Sequence, residues 1–201
     1  MVADPVASLA RATDAFEGVL TRVEPQQWTL PTPCPEWNVR QLVEHVVSGQ
    51  RLFAQVMRGV PLEVAARERE EWAGLLDTDD AAAIYRDSSA ELVAAFGVPG
   101  ALERMVTVPA GAMPGVAALH LRATEALVHG WDLAQACGLA FDPPPDVAEG
   151  EIAFSGPMLE RIPPERRARR FGTSQPVDDS APPIDRLAAL LGRNPAGQGS
   201  A

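Results

Sequence analysis

The chain has 201 residues, 46% of them hydrophobic and 22% charged, with 27 acidic against 17 basic side chains and a formal charge of −10. That composition fits one globular domain with a tail, and the acidic balance argues against nucleic acid as a partner, since neutralising a phosphate backbone takes a surplus of Lys and Arg. No run approaches the roughly 18 apolar residues of a membrane span, and "MVADPVASLARATDAF" lacks both the basic start and the continuous apolar stretch of a secretory signal. A soluble, cytoplasmic protein is expected, in which Cys34 and Cys137 are free thiols.

Val6, Leu9, Thr13, Phe16, Leu20 and Val23 recur at intervals of three and four, so the spacing predicts a first helix over residues 5 to 24. "PQQWTLPTPCPEW" follows, and its four prolines remove backbone donors and restrict their neighbours, which dictates a structured loop. Asn38 with Gln41 three residues later forms the signature of a capping box, and Val39, Leu42, Val43, Val46, Phe53, Val56 and Met57 line a second helix over 38 to 58. The charged stretch "AARERE" reads as a solvated connection with at most a short helical turn. Asp79 or Asp80 caps a third helix over 79 to 97, ended by Gly97. "RMVTVP" is short and partly β-branched, which suits a brief strand for which no partner is evident. A fourth helix spans 115 to 137, with Gly138 as its stop. The expected fold is an all-α four-helix bundle over residues 1 to 140, and the long connections permit crossovers. Residues 141 to 201, rich in proline and too short for a second core, are expected to pack on the bundle as a C-terminal extension, with helical segments near 146 to 161 and in "IDRLAALLGR".

In "TEALVHGWDLAQA", Glu125 precedes His129 by four residues, so both side chains stand on one helical face beside the apolar stripe. His45 lies between Leu42 and Val46 on the second helix, where a bundle can turn it toward a facing pair. Two imidazoles and a carboxylate suit Zn²⁺ or another borderline divalent ion with one position left for water or substrate. A buried, unmetallated polar cluster accounts for the same residues equally well. His120, nine residues before His129, falls on the opposite side of the helix and is not expected as a ligand.

"TPCPEWNVRQLVEHV", followed some eighty residues later by "EALVHGWDLAQACG", resembles the N-terminal domain of the mycothiol-dependent maleylpyruvate isomerase family, part of the DinB-like metal-binding bundle superfamily, over roughly residues 5 to 140. The resemblance implies a divalent metal, usually zinc, bound by His45, Glu125 and His129. It further implies an enzyme in which a low-molecular-weight thiol such as mycothiol attacks a small-molecule electrophile, of the thiol-transferase or isomerase-like type. The isomerase itself has a distinct second domain that contributes to its active site, where this chain carries the proline-rich extension. The rival expectation is a non-enzymatic, metal-stabilised helical bundle acting as a dimeric binding or stress-response module, so a homodimer is an open assembly.

Other residues carry two readings. Asp132 can accept a hydrogen bond from a ligand histidine or bind Arg40. Cys34 can serve as a fourth ligand, although its flanking prolines favour packing. Trp37 and Trp131 favour packing over substrate contact. Arg166, Arg167, Arg169 and Arg170 can clamp a carboxylate or form a solvated helix end. The catalytic and cofactor-binding residues are left unassigned.

Overall fold

The computed structural model describes residues 4–163, 165 and 172–195, and it divides the chain into two compact units, Met1–Phe141 and Asp142–Ala201. Four long helices build the first unit: α1 (Pro5–Leu20), α2 (Val39–Met57), α4 (Ala81–Phe96) and α5 (Gly115–Cys137). A shorter α3 (Leu62–Glu71) and a two-stranded hairpin, β1 (Met105–Val108) with β2 (Gly111–Pro114), lie in the connections. Both α1 and α2 pack between α4 and α5, which puts α1 diagonally across the bundle from α2 and α4 across from α5. The loop containing "CPEW" and the hairpin are therefore the two crossovers. The chain is all-α apart from that hairpin, and among the described residues no helix is long and apolar enough to cross a membrane.

Local chemistry sets the helix limits. Asp4 caps α1 by accepting from the Val6 amide at 3.0 Å, with Pro5 preset for the first turn. The helix ends at Leu20, four residues before the position expected from the apolar pattern. Pro25 has no N–H to give the Thr21 carbonyl, and it drives Glu24 to an extended ψ of 155°. Asn38 and Gln41 form the reciprocal box at the start of α2, at 2.9 and 3.0 Å. Asp80 is the N-cap of α4, although its side chain makes no capping bond. Gly138 ends α5 in the left-handed conformation at φ 65°, open to glycine at little cost.

Two stretches differ from the sequence expectation. "AARERE" lies within the ten-residue helix α3, of which only Ala65 is buried, so no apolar stripe announces it. The strand at 105–108 has a partner in Gly111–Pro114, joined by a two-residue turn at Pro109 and Ala110. Val106 and Val108 face inward from β1, while the partner strand's Gly, Ala and Pro give no β-propensity signal.

Leu9, Phe16, Leu42, Leu92, Leu119, Leu127 and Leu133 fill the bundle core, each such side chain contributing about 1.5–3 kcal/mol on burial. Phe16 stacks on Tyr85 with ring centroids 4.6 Å apart. A buried polar seam crosses this core: Ser88 Oγ donates to Gln50 Oε1 (2.5 Å), Gln50 Nε2 to Ser89 Oγ (3.1 Å), and Tyr85 Oη to the Thr13 carbonyl (3.1 Å). Burial raises the Tyr85 hydroxyl's pKa. Matched polar groups of this kind fix one helix register, since any slip leaves them unpaired.

Where the hairpin passes into α5, the Gly115 amide donates to Arg104 O and the Val116 amide to Leu102 O, both at 2.8 Å. A Cβ on Gly115 would stand 2.0 Å from the Ala101 carbonyl oxygen, a backbone atom. Gly115→Ala is accordingly expected to lower stability by about 3 kcal/mol or more through forced backbone displacement. A melting temperature within a degree of wild type would show that this crossing is looser than the contact implies.

In the second unit, α6 (Pro145–Glu160) packs against α7 (Pro183–Leu190), burying Val147, Ala148, Leu159, Ile184 and Leu187, and Arg186 pairs with Glu149. The segment before α7 is tied to it by the Gln175 amide on Ala189 O (2.9 Å) and Ser174 Oγ on Leu190 O (3.1 Å). Arg166, Arg167, Arg169 and Arg170 lie outside the described residues.

Candidate metal centre

Leu42, Val43, Val46 and Val47 bury one face of α2, and His45, sitting at its border, is carried toward α5. On α5 the one-turn spacing aligns Glu125 and His129 opposite it. His45 Nε2 lies 3.1 Å and His129 Nε2 3.5 Å from the same atom, Glu125 Oε2. The side chains of Glu125 and His45 are 27% and 21% exposed, His129 9% and Asp132 0%, so the cluster opens to solvent on the Glu125 side and rests on a buried floor. His120 does not join this set.

The floor orients the site. His129 Nδ1 donates to Asp132 Oδ2 at 3.0 Å, and Cys34 Sγ donates to the same oxygen at 3.3 Å. Cys34, His129 and Asp132 thus form a second group of donors sharing His129. Of the two readings of Asp132, the histidine partner is the one the geometry supplies, while Arg40 donates to the Gly74 and Leu76 carbonyls instead. Cys34 reaches this position because the loop closes on itself: the Trp37 amide donates to Cys34 O (3.0 Å) with Pro35 at the turn, and Thr32 Oγ1 donates to both Cys34 O and Trp37 O. The same turn lays the Trp37 ring against His45, centroids 4.1 Å apart, and edge-on to His129 at 5.7 Å.

Two guanidinium groups flank the triad. Arg69 of α3 donates through Nη2 to His45 Nδ1 (3.1 Å) and through Nε to Ser48 Oγ (3.2 Å). Arg122, 4% exposed, brings Nη1 to 3.5 Å from Glu125 Oε2. Neither cation is announced by the sequence as part of the site: Arg69 belongs to a stretch that reads as solvated, and the burial of Arg122 depends on Gly49 across the helix interface, where a Cβ would meet Nη1 at 2.8 Å.

Electrostatics follow from these contacts. Burial alone would raise the Glu125 carboxyl, yet hydrogen bonds from His129 and His45 and the charge of Arg122 hold it well below its ordinary range. Burial alone would lower His129, but its bonds with Asp132, Cys34 and Glu125 push it well above the ordinary value. For His45, burial outweighs Glu125 and lowers the pKa. In the metal-free protein these surroundings favour the protonated form of His129 and the neutral form of His45. The raised His129 stabilises the fold fully below about pH 6.5 and loses that contribution as pH rises through its folded pKa; the depressed Glu125 contributes above about pH 4.5 and loses it as pH falls through its own. With chelator present, the melting temperature is expected to decline as pH rises through the folded pKa of His129. With a divalent ion added, the gap between loaded and metal-free melting curves should widen as the competing His129 proton leaves. A gap that narrows with rising pH would contradict this charge assignment.

The donor set fits a divalent ion. Around a tetrahedral centre with bonds of about 2.0–2.1 Å, neighbouring donor atoms sit about 3.3 Å apart, and the separations here are 3.1 and 3.5 Å. His129 already directs Nδ1–H at Asp132, leaving Nε2 for the ion. His45 needs one adjustment: with an ion on Nε2, Nδ1 carries the ring hydrogen, and the Arg69 guanidinium, which can only donate, has to turn away from it.

The model of the mycothiol maleylpyruvate isomerase N-terminal domain matches residues 9–134. An uncharacterized protein of Mycobacterium tuberculosis, found in each of two strains, is 34% identical over 192 residues, spanning 94% of this chain and 98% of its own length. Two crystal structures, of the mycothiol-dependent maleylpyruvate isomerase and of a histidine-to-alanine mutant of it, share the fold at a TM-score of 0.59, with 18% and 17% identity. The likeness covers 72% of this chain but 65% of theirs, so the chain spans about two thirds of the solved isomerase. From the extent of the domain match, this chain belongs to the mycothiol maleylpyruvate isomerase N-terminal domain family.

Proposed function

We propose that the chain binds one divalent ion, zinc by its donor set, through His45 Nε2, Glu125 and His129 Nε2, and uses it in the reaction of a low-molecular-weight thiol with a small electrophile. The observation that carries this reading is the convergence of two imidazole nitrogens on one carboxylate oxygen at a partly exposed edge of the bundle. Family membership supports the thiol, since the solved relatives are named as mycothiol-dependent. When bound, such an ion supplies positive charge that favours the thiolate over the thiol near neutral pH.

The chain's own residues prepare the site. Asp132 fixes the tautomer and ring plane of His129, and the Trp37 ring lies against one face of His45. Three protein donors would hold the ion and would leave it able to take water or a substrate thiol as a further ligand, as catalytic rather than structural zinc sites do. No residue is assigned as general base.

The test is elemental analysis of the purified full-length protein combined with an assay of thiol consumption in the presence of mycothiol and reactive electrophiles. One equivalent of zinc and metal-dependent thiol loss are expected. An ion bound with no thiol turnover under any condition favours the non-enzymatic, metal-stabilised module. A protein that takes up no divalent ion after reconstitution refutes both.

A further inference from the structure

Arg122 is an unusual group to find inside a bundle. Its guanidinium lies between α5 and α2 in a space left by Gly49, where any Cβ would approach Nη1 to 2.8 Å. Nη2 donates weakly to the Val46 carbonyl at 3.5 Å, the guanidinium carbon stands 5.0 Å from the Phe53 ring centre, and Nε finds no hydrogen-bond partner among the described residues. A buried ion pair with an unmatched N–H is a poor way to stabilise a fold, because well-packed apolar side chains in place of both partners serve as well or better, whereas removing the cation alone strands the carboxylate. What Arg122 does have is a direct line to the site: Nη1 is 3.5 Å from Glu125 Oε2, the same oxygen that His45 and His129 face.

We propose that Arg122 is a positioning residue, a resident counter-cation that neutralises the Glu125 carboxylate in the ion-free bundle and competes with a divalent ion for it. The inference rests on the metal reading above and adds to it a residue outside the ligand set. The other charged groups around the cluster are Arg69, beside His45, Asp132, beneath His129, and His129 itself while it holds its proton, 3.5 Å from the same Glu125 oxygen. That is why affinity is compared at a pH where this proton is leaving. Of the two guanidiniums, Arg69 reaches His45, and Arg122 is the one that reaches the carboxylate. A fixed positive charge sharing one oxygen with the ion repels it and draws electron density from their common ligand. The ion is held less tightly as a result, and is left a stronger Lewis acid.

The experiment measures zinc affinity of the full-length protein by competition with a chromophoric chelator at mildly alkaline pH, for wild type, Arg122→Met and Arg122→Lys, alongside metal-free melting curves. Arg122→Met is expected to bind zinc about tenfold tighter or more while its metal-free form melts lower. Arg122→Lys, which keeps the charge, should return affinity to within about threefold of wild type. A purely structural arginine would lower the melting temperature without tightening zinc. Arg122→Met with native circular dichroism and equal or weaker affinity therefore overturns the proposal. Should the Met variant fail to fold without metal, Arg122→Gln, uncharged but polar, is read by the same criterion. If wild type binds no zinc, the metal reading itself fails; if wild type binds and the uncharged variants bind no tighter, only the role of Arg122 does.

Discussion

Replacing His129 with alanine is expected to reduce retention of a divalent ion by orders of magnitude, and His45→Ala and Glu125→Gln should do the same. Each change removes one of three protein donors, and the remaining pair offers an ion no more than a transient surface contact. His120→Ala, which alters the same helix at a residue outside both donor groups, should retain metal as wild type does. The Glu125 variant is informative in a second way, because the amide keeps the shape and removes the charge that offsets Arg122. Its loss of metal should exceed what one weakened donor explains. The check is metal stoichiometry by mass spectrometry after gel filtration of all five proteins. Equal metal in wild type and the three ligand variants would sink the triad.

Asp132→Asn is expected to weaken metal binding by about 10–100-fold, the usual consequence of removing a buried carboxylate that orients a ligand histidine. Asp132 is fully buried, and its Oδ2 accepts from both His129 Nδ1 and Cys34 Sγ. An amide in its place has no negative charge to offer His129, and wherever its N–H takes the Oδ2 position both the imidazole and the thiol lose their acceptor. The metal-free variant should also lose part of its stability on the acid side, where His129 is charged and now faces a neutral group. Isothermal titration with zinc and chelator-treated melting curves across pH separate the two effects. Unchanged affinity would mean that packing against Trp37 alone holds the His129 ring.

The two long-range pieces of this site differ in how far the sequence reveals them. Helices α2 and α5 are legible because cap and stop chemistry is local: Asn38 with Gln41 at one end, Gly138 at the other. Glu125 and His129 follow from helical spacing, and joining His45 to them took the assumption of a bundle and the family resemblance. The end of α1 was overrun because an apolar pattern outlasts the backbone hydrogen bonds that Pro25 cuts off. Helix α3 was underread for the opposite reason, since ten residues with one buried side chain carry no stripe. Arg69 and Arg122 are not legible as members of the site, and for Cys34 the sequence leaves ligand and packing side by side. Their roles depend on what faces them across an interface, 24 residues away for Arg69 and His45 and 98 for Cys34 and Asp132, and no periodicity records such a meeting.

The proposed ligand set is divided between α2 and α5, with 80 residues separating His45 from Glu125. A shared ion would thus act on the chain as a cross-link does, closing a loop of that length in any partly unfolded state that still retains it. By the chain-entropy relation for disulfides, a loop of 80 residues corresponds to about 4–5 kcal/mol of lost freedom in the unfolded chain. The bundle would then hold two crossovers and one removable staple, and withdrawing the ion would lower stability by returning that freedom to the unfolded chain.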